Sequence, residues 1–174
     1  MVLPLCDTTC GAAPPAPPAP VVLVFVAGEV AFDGSLAPEP FSFTQVGSAS
    51  SPVPVGVLDP ASNLFDSPSP GVLRYIGDSP LRVRASYSIT FLWDTGPSVQ
   101  TAFFSILIVN GENVGETIQG LALSTSAGFT VFSESSDALL VLQPGDELQV
   151  GVAGIVPGTY TISIFGLTLV ANRI

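Results

Sequence analysis

Hydrophobic and polar residues alternate along much of the chain, most clearly in its second half. From Leu81 to Trp93 the odd-numbered positions are apolar and the even-numbered positions are mostly polar. Successive side chains of a β-strand point to opposite faces, so this period of two predicts one long, half-buried strand. Similar runs predict further strands at residues 21–32, 41–46, 102–109, 114–123, 138–142, 147–153 and 160–170.

Tight turns separate these runs. Asn110-Gly111 lies between two of them, and an Asn-Gly pair flanked by apolar residues indicates a hairpin, because both residues tolerate positive φ. Residues 143–146 and 156–158 each combine Pro with Gly and predict two more turns. No 3.6-residue period is sustained, and Gly or Pro interrupts most windows. We therefore predict an all-β fold, a jelly-roll β-sandwich of about 8–10 antiparallel strands.

The first twenty residues differ from the rest of the chain. Residues 12–20 are all Ala or Pro, a composition that favours extended polyproline II. We predict an extended Pro-rich N-terminal arm at residues 1–20 and a single jelly-roll domain at residues 21–174. Within that domain, residues 47–80 are crowded with Pro, Ser and Gly. They predict an irregular, loop-rich section with short or edge strands, suited to contacts with a partner.

Composition indicates a protein that associates. Of the 174 residues, 47% are apolar and only 10% are charged, whereas soluble domains typically carry about 25% charged residues. A single copy with so few charges exposes much neutral or apolar surface, and such surface usually marks an interaction site. We therefore expect the chain to form oligomers.

Charge and hydropathy exclude two classes of partner. The net charge is -10, and the basic residues are four arginines with no lysine. Such a chain has no patch that could neutralise phosphates, so we expect no nucleic-acid binding. No apolar stretch approaches the roughly 20 residues needed to cross a bilayer, so we expect no membrane span.

Four segments carry a resemblance to a known family. They are the strand at residues 81–91, the hairpin at 106–114, the turn at 142–150 and the closing strand at 165–174. Together they make the last hundred residues resemble the compact jelly roll of the complement-subcomponent and tumour-necrosis-factor superfamily. The similar versions occur in phage or viral surface proteins and in collagen-like spore-surface proteins. The resemblance implies a ten-stranded sandwich that forms a homotrimer around an apolar axis.

The arm decides between the two versions. A collagen triple helix needs glycine at every third position, and the Ala/Pro arm lacks it. The resemblance therefore favours a module attached to a particle such as a virus or phage capsid, located on the virion surface, with the arm as its tether. The alternative is a glycan- or receptor-binding module of an extracellular or spore-coat protein, with Trp93 or a loop tyrosine stacking on sugar.

Residues of two kinds are candidates for assembly. Apolar strand residues are predicted to form the subunit interface: Phe103, Ile106, Ile108, Ile162, Ile164 and Phe165. The arm supplies the contacts to the particle protein, through Cys6, Cys10, Pro14, Pro15, Pro17, Pro18 and Pro20. Cys6 and Cys10 are compatible with a bridge to each other, a bridge between chains or free thiols. Arg82 and Arg84 lie two apart and share one sheet face, where we expect ion pairs between chains.

The chain carries little equipment for catalysis. It has no histidine and no lysine, and it has neither a Gly-x-Ser-x-Gly elbow nor a phosphate loop. A carboxylate-pair hydrolase could use Glu112 with Glu116, Glu134 with Asp137, or Asp146 with Glu147. Calcium could be held by oxygen atoms of Asn110, Glu112, Asn113 and Glu116, although the spacing is not that of a dedicated calcium loop. We predict no enzyme, no metal and no cofactor, and we interpret these acids as solvated turn residues.

Overall fold

The computed structural model describes residues 26–34, 37–45, 49–95, 102–120 and 128–174, and in this part the chain folds into two antiparallel sheets. The front sheet contains β1 (Val26–Asp33), β2 (Glu39–Gln45), β4 (Val57–Leu58), β7 (Leu81–Thr95), β11 (Gly128–Leu142) and β13 (Gly158–Arg173). The back sheet contains β3 (Ser51–Pro52), β5 (Phe65–Asp66), β6 (Leu73–Tyr75), β8 (Phe103–Val109), β9 (Glu112–Asn113), β10 (Gln119–Gly120) and β12 (Glu147–Gly154).

The order of the strands is that of a jelly roll. The front sheet runs β11-β7-β13-β1-β4, with β2 also paired to β13. The back sheet runs β10-β8-β12-β6-β5, with β3 on β12 and β9 on β8. The chain passes from one sheet to the other eight times, between β2 and β3, β3 and β4, β4 and β5, β6 and β7, β7 and β8, β10 and β11, β11 and β12, and β12 and β13. These crossings are characteristic of a Greek-key double sheet, and the predicted fold class is confirmed.

Alternation along β7 places its apolar residues in the core. Every odd residue from Leu81 to Trp93 is buried, and the even residues are exposed or half-buried. The Phe103 side chain of β8 stacks edge-on against rings from the front sheet, with centroids 4.8 Å from Trp93 and 5.2 Å from Tyr160. Edge-to-face ring pairs contribute beyond the burial of their area, so this aromatic cluster joins the two sheets.

The Asn110-Gly111 turn forms as predicted, but the strand after it is short. Both residues have positive φ, 51° for Asn110 and 81° for Gly111. The predicted strand at residues 114–123 is only partly confirmed: a 3₁₀ turn at Gly115–Thr117 takes the place of its first half, and only β10 pairs with β8. Its last three residues, 121–123, lie outside the described residues. The Thr117 hydroxyl accepts the amide of Leu107 at 2.9 Å and donates to the Val114 carbonyl at 2.7 Å, so a side chain replaces the strand pairing here.

The strand β11 is much longer than the sequence predicted. The expected strand covers residues 138–142, whereas the structure extends it back to Gly128, paired with β7 throughout. The polar run from Ser133 to Asp137 conceals this strand because such residues are uncommon in strands. It remains a strand because the odd residues point outwards, while Glu134 and Ser136 are half-buried on the other side.

The section at residues 49–80 contains only strands of two or three residues, β3 to β6. Gly71 holds one of its bends with φ 78°, and a Cβ atom there would lie 2.3 Å from the Val53 carbonyl oxygen, so no other residue fits. In the part of the chain that is described, no helix is long and apolar enough to span a membrane. The predicted arm at residues 1–20 lies outside the described residues.

Candidate interaction surface

The outer face of the front sheet is formed by alternate residues of its long strands. It comprises the odd residues of β11 from Val131 to Val141, the even residues of β7 from Arg82 to Leu92, and the residues of β13 paired with them. On β11, Val131, Leu139 and Val141 are 62%, 67% and 57% exposed. Leu139 and Val141 are neighbours on this face, whereas Val131 lies at the other end of β11, beyond Ser133, Ser135 and Asp137. We call these three aliphatic side chains the apolar edge of the face.

Small hydroxyl side chains lie on the same face, both between β7 and β11 and at the corner where β2 pairs with the start of β13. Thr90 and Ser133 share a hydrogen bond of 3.0 Å across β7 and β11. Ser42 and Thr161 share one of 2.8 Å between β2 and β13, and in the neighbouring pair Thr44 lies 3.1 Å from Thr159. Paired hydroxyl groups satisfy much of each other's hydrogen-bonding capacity, so covering them with another surface costs less than covering charged groups.

Arg84 has its carboxylate partner within the same chain. Its Nε donates to Asp137 Oδ2 at 3.0 Å, and this bond raises the pKa of the guanidinium. Both side chains are about half exposed, so the pair contributes little to stability. Arg82 projects from the same face, as predicted, and has no carboxylate within ion-pair distance among the described residues. The expectation of an ion pair between chains therefore now concerns Arg82, because Asp137 already pairs with Arg84.

Most of the predicted subunit-interface residues lie inside the single chain. Buried residues with at most 2% of their surface exposed are Phe103, Ile106, Ile108, Ile162 and Ile164. Phe165 alone of the six keeps partial exposure. Phe103, Ile162 and Ile164 face the core between the sheets, whereas Ile106 and Ile108 lie on the outer side of β8. The sequence pattern could not tell whether the same chain or a second chain covers these apolar positions. These five buried residues therefore cannot contact a second chain, whereas Phe165 still could.

The aromatic platform suggested for sugar binding is buried as well. Trp93 is 5% exposed, and each tyrosine is 8% exposed or less. A buried ring cannot stack on a sugar, so the suggested role of Trp93 is wrong. The arm candidates Cys6, Cys10, Pro14, Pro15, Pro17, Pro18 and Pro20 lie outside the described residues.

The structure separates the acids of one candidate pair and engages an acid of another. Glu134 points inwards from β11 and Asp137 points outwards, because their positions differ in parity along the strand. Asp146 is occupied in its own turn, where its carboxylate accepts the Gln143 amide at 2.7 Å and the Asn110 side-chain amide at 2.8 Å. Among the described residues, no three His, Cys, Asp or Glu side chains cluster closely enough to hold a metal ion.

A buried polar cluster that the sequence did not reveal lies between β11, β7 and β8. Glu134 Oε2 accepts both the backbone amide (3.0 Å) and the hydroxyl of Ser105, while Glu134 Oε1 is buried without a partner. The Tyr87 hydroxyl lies 3.0 Å from the Ser105 hydroxyl and donates to the Thr117 carbonyl at 3.0 Å. The sequence could have revealed this cluster only if β11 had been predicted to begin before Ala138, because Glu134 would then fall at an inward-pointing position.

Burial governs the titration of this cluster. Removal from water raises the pKa of Tyr87 to about 12. It also raises the pKa of Glu134, and the hydrogen bonds from Ser105 only partly offset that effect. Ser105 itself has no exposed surface. Its hydroxyl is therefore inaccessible to a substrate, and the cluster acts as a polar link between the two sheets.

Comparison with known proteins gives a distant likeness in fold. The sequence matches no protein-family model and no curated protein. Eiger TNF from S. frugiperda has a TM-score of 0.43 at 18% identity, with 82% of this chain and 90% of that chain covered. A family 35 carbohydrate binding module from Clostridium thermocellum has a TM-score of 0.30 at 10% identity, covering 81% of this chain and 96% of that chain.

An arabinose-bound α-L-arabinofuranosidase, MgGH51, has a TM-score of 0.40 at 15% identity, with 84% of this chain but 27% of that chain covered. Likenesses of this distance carry no argument about function. The assignment of a jelly-roll fold is based on the strand order of this chain. Attachment of this module to a larger particle stays a prediction.

Proposed function

We propose that this chain is a non-enzymatic structural protein that associates with copies of itself through the outer face of the front sheet. The observation that carries this proposal is the apolar edge of that face, formed by the exposed side chains of Val131, Leu139 and Val141. Burying one such side chain contributes about 1.5–3 kcal/mol. Because these residues are only 57–67% exposed in a single copy, the three together supply roughly 3–6 kcal/mol, at the low end of the range of about 4–15 kcal/mol that association costs.

The apolar edge therefore needs the rest of the face to make a stable contact. A standard interface covers about 800 Å² on each partner, and the hydroxyl-rich centre beside β11 offers such a surface with few charges to desolvate. We propose a homotrimer, the number of copies implied by the resemblance to the tumour-necrosis-factor superfamily. The module would decorate a larger particle, with a virus or phage capsid as the first candidate and residues 1–20 as the tether.

The experiment for self-association replaces Leu139 and Val141 by Asp and measures the mass in solution by light scattering. Both side chains are exposed, so the double variant should fold as the wild type does and yet run as a monomer. Ile76→Asp is the matched control, since Ile76 is also at least half exposed but lies away from this face. It should keep the wild-type mass. If the double variant also keeps it, the outer face is not the interface.

Tethering needs a separate experiment. Deleting residues 1–20 should abolish incorporation into particles while leaving the mass of the free oligomer unchanged. Incorporation that survives the deletion would show that the arm is not the anchor.

A further inference from the structure

The open edge of β11 is the longest free strand edge in the described part of the chain. β11 ends the front sheet and pairs with β7 over all 15 of its residues, whereas no described strand pairs with its other side. The strands at the other ends of the two sheets, β4, β5 and β10, have two residues each. A free edge presents unpaired backbone N–H and C=O groups, and proteins usually keep such edges short. The edge of β11 is therefore suited to the addition of another strand.

The hydropathy of β11 is symmetric about the middle of the strand. Ser135 is the central residue of Gly128–Leu142. Residues 133–137 are polar, and two apolar residues lie on each side of them, at 131–132 and at 138–139. A second β11 that runs antiparallel, with Ser135 opposite Ser135, would pair all 15 residues. Odd residues would then oppose odd residues, so outward side chains meet outward ones and inward side chains meet inward ones.

This register brings the apolar ends of two strands together. Val131 and Leu139 are both exposed on the outer face but lie at opposite ends of β11 in a single copy. In the symmetric pairing Val131 of each copy opposes Leu139 of the other, and apolar pairs directly opposite each other stabilise a sheet. Ser133 opposes Asp137, so a hydroxyl donor faces a carboxylate and no two like charges are directly opposed. The strand therefore complements a second copy of itself.

The same register offers a donor to a buried oxygen atom that lacks one. Glu134 Oε1 is buried without a hydrogen bond among the described residues, whereas Oε2 is bonded to Ser105. In the symmetric pairing Glu134 opposes Ser136 of the second copy, with Cβ atoms about 4.5–5.5 Å apart. The Ser136 hydroxyl accepts the Gln119 side-chain amide at 3.3 Å and keeps its hydrogen to donate. An unsatisfied buried acceptor is costly, so this bond, made twice across the axis, favours the contact.

We propose that β11 pairs antiparallel with β11 of a second copy about a twofold axis at Ser135, joining their front sheets into one continuous sheet. A contact of this kind uses the same residues on both copies. Two strands without further packing are marginally stable in water, so the edge contact is weaker than a face contact and forms where copies are crowded. It leaves the mass of the dilute oligomer unchanged. The proposal uses the edge of the front sheet and not its outer face, so it stands or fails separately from the proposed function.

Cysteine crosslinking tests the register, in a chain that carries Cys6→Ser and Cys10→Ser. Ser135→Cys places two thiols opposite each other at a Cα distance of about 4.5–5.5 Å, which a disulfide spans. Ser133→Cys is the matched control, because Ser133 is exposed on the same face but would lie about 14 Å from its own copy. Under mild oxidation Ser135→Cys should form covalent dimers at least about tenfold faster than Ser133→Cys. Adding Asp137→Cys to Ser133→Cys should restore fast crosslinking. Equal rates for the two single variants, or no dimer with Ser135→Cys, would overturn the proposal.

Ser88→Cys distinguishes edge pairing from contact through the outer face. Ser88 of β7 pairs with Ser135 and is exposed on the same face, but it lies one strand further from the edge. Across the twofold axis two Ser88 residues would be about 14 Å apart, so this variant should crosslink as slowly as Ser133→Cys. Crosslinking of Ser135→Cys no faster than that of Ser88→Cys would show that copies meet through the outer face, and edge pairing would be wrong.

Ser136 tests the bond to Glu134 across the axis. Adding Ser136→Ala should slow crosslinking of Ser135→Cys at least about fivefold, because two hydrogen bonds are lost for each pair of copies. Ser136→Thr keeps the hydroxyl and should crosslink within about twofold of the rate with Ser136. Equal rates for the Ala and Thr variants would show that Ser136 donates no bond to the second copy and would overturn the register.

Discussion

Replacing Phe103 by Ala distinguishes a core residue from an interface residue. The sequence predicted Phe103 at a subunit interface, whereas the structure buries it between the two sheets with 1% of its surface exposed. Four aromatic rings meet it edge-on, with centroid distances of 4.8 Å to Trp93, 5.2 Å to Tyr160, 6.1 Å to Phe91 and 6.2 Å to Phe43. The substitution would open a cavity at the point where the sheets are joined.

The expected cost of Phe103→Ala is about 3–5 kcal/mol in the free energy of unfolding. This range already contains the loss of the ring pairs, which are worth about 0.5–1.5 kcal/mol each. For a domain of this size 1 kcal/mol shifts Tm by about 2–4 °C, so Tm should fall by roughly 6–20 °C. Urea titration at one fixed protein concentration measures the change, because the stability of an oligomer depends on concentration.

Phe165→Ala is the matched control for this measurement. Phe165 was predicted at the same interface but keeps partial exposure on β13, so its loss should cost about 1 kcal/mol. A Phe103→Ala variant that unfolds within about 1 kcal/mol of the wild type but has lost its oligomeric mass would refute the reasoning. Phe103 would then act between chains.

Three further predictions concern the turn, the buried acid and the surface pair. Asn110→Ala should lower the free energy of unfolding by about 1–2 kcal/mol, and by more than Asn110→Gly, because Ala loses the bonds to Asp146 and the Glu147 amide and also resists positive φ. The free energy of unfolding of the Glu134→Gln variant should increase relative to that of the wild type as pH rises. Burial raises the pKa of Glu134 above its ordinary 4.5, so its protonated form stabilises the fold at low pH, and that contribution is lost as pH rises through the folded pKa. Urea titrations of both proteins from pH 4 upwards check this, and a constant difference would contradict it. Arg84→Ala should change the free energy of unfolding by less than about 1 kcal/mol, and a larger loss would show that the exposed pair with Asp137 is coupled to something else.

The fold could be predicted from the sequence wherever apolar and polar residues alternate strictly. β7 and the Asn110 turn follow from local rules, since the period of two and the tolerance of positive φ belong to the residues themselves. β11 was only partly predicted, because polar residues such as Glu134 and Ser136 are typical of loops. The hydrogen bonds from Ser105 that allow Glu134 to point inwards are visible only in the structure. The first half of the strand predicted after the turn does not form, because the Thr117 hydroxyl takes the hydrogen bond of the Leu107 amide.

The candidate surface was harder to predict than the fold. Alternation separates the two sides of a strand, but both a second sheet and a second subunit can cover the apolar side. The sequence assigned Ile162 and Ile164 to a partner, whereas the back sheet of the same chain covers them. Leu139 and Val141 could be recognised as exposed only once the register of β11 against β7 placed them opposite Arg84 and Arg82.

The mass of the full-length chain in solution tests the central claim most directly. Light scattering over a range of concentrations should give about three times the 17.8 kDa of one copy. A mass of 17.8 kDa at every concentration would mean that the chain is a monomer and that the outer face of the front sheet binds no second copy. The proposal of a self-associating structural protein would then be wrong.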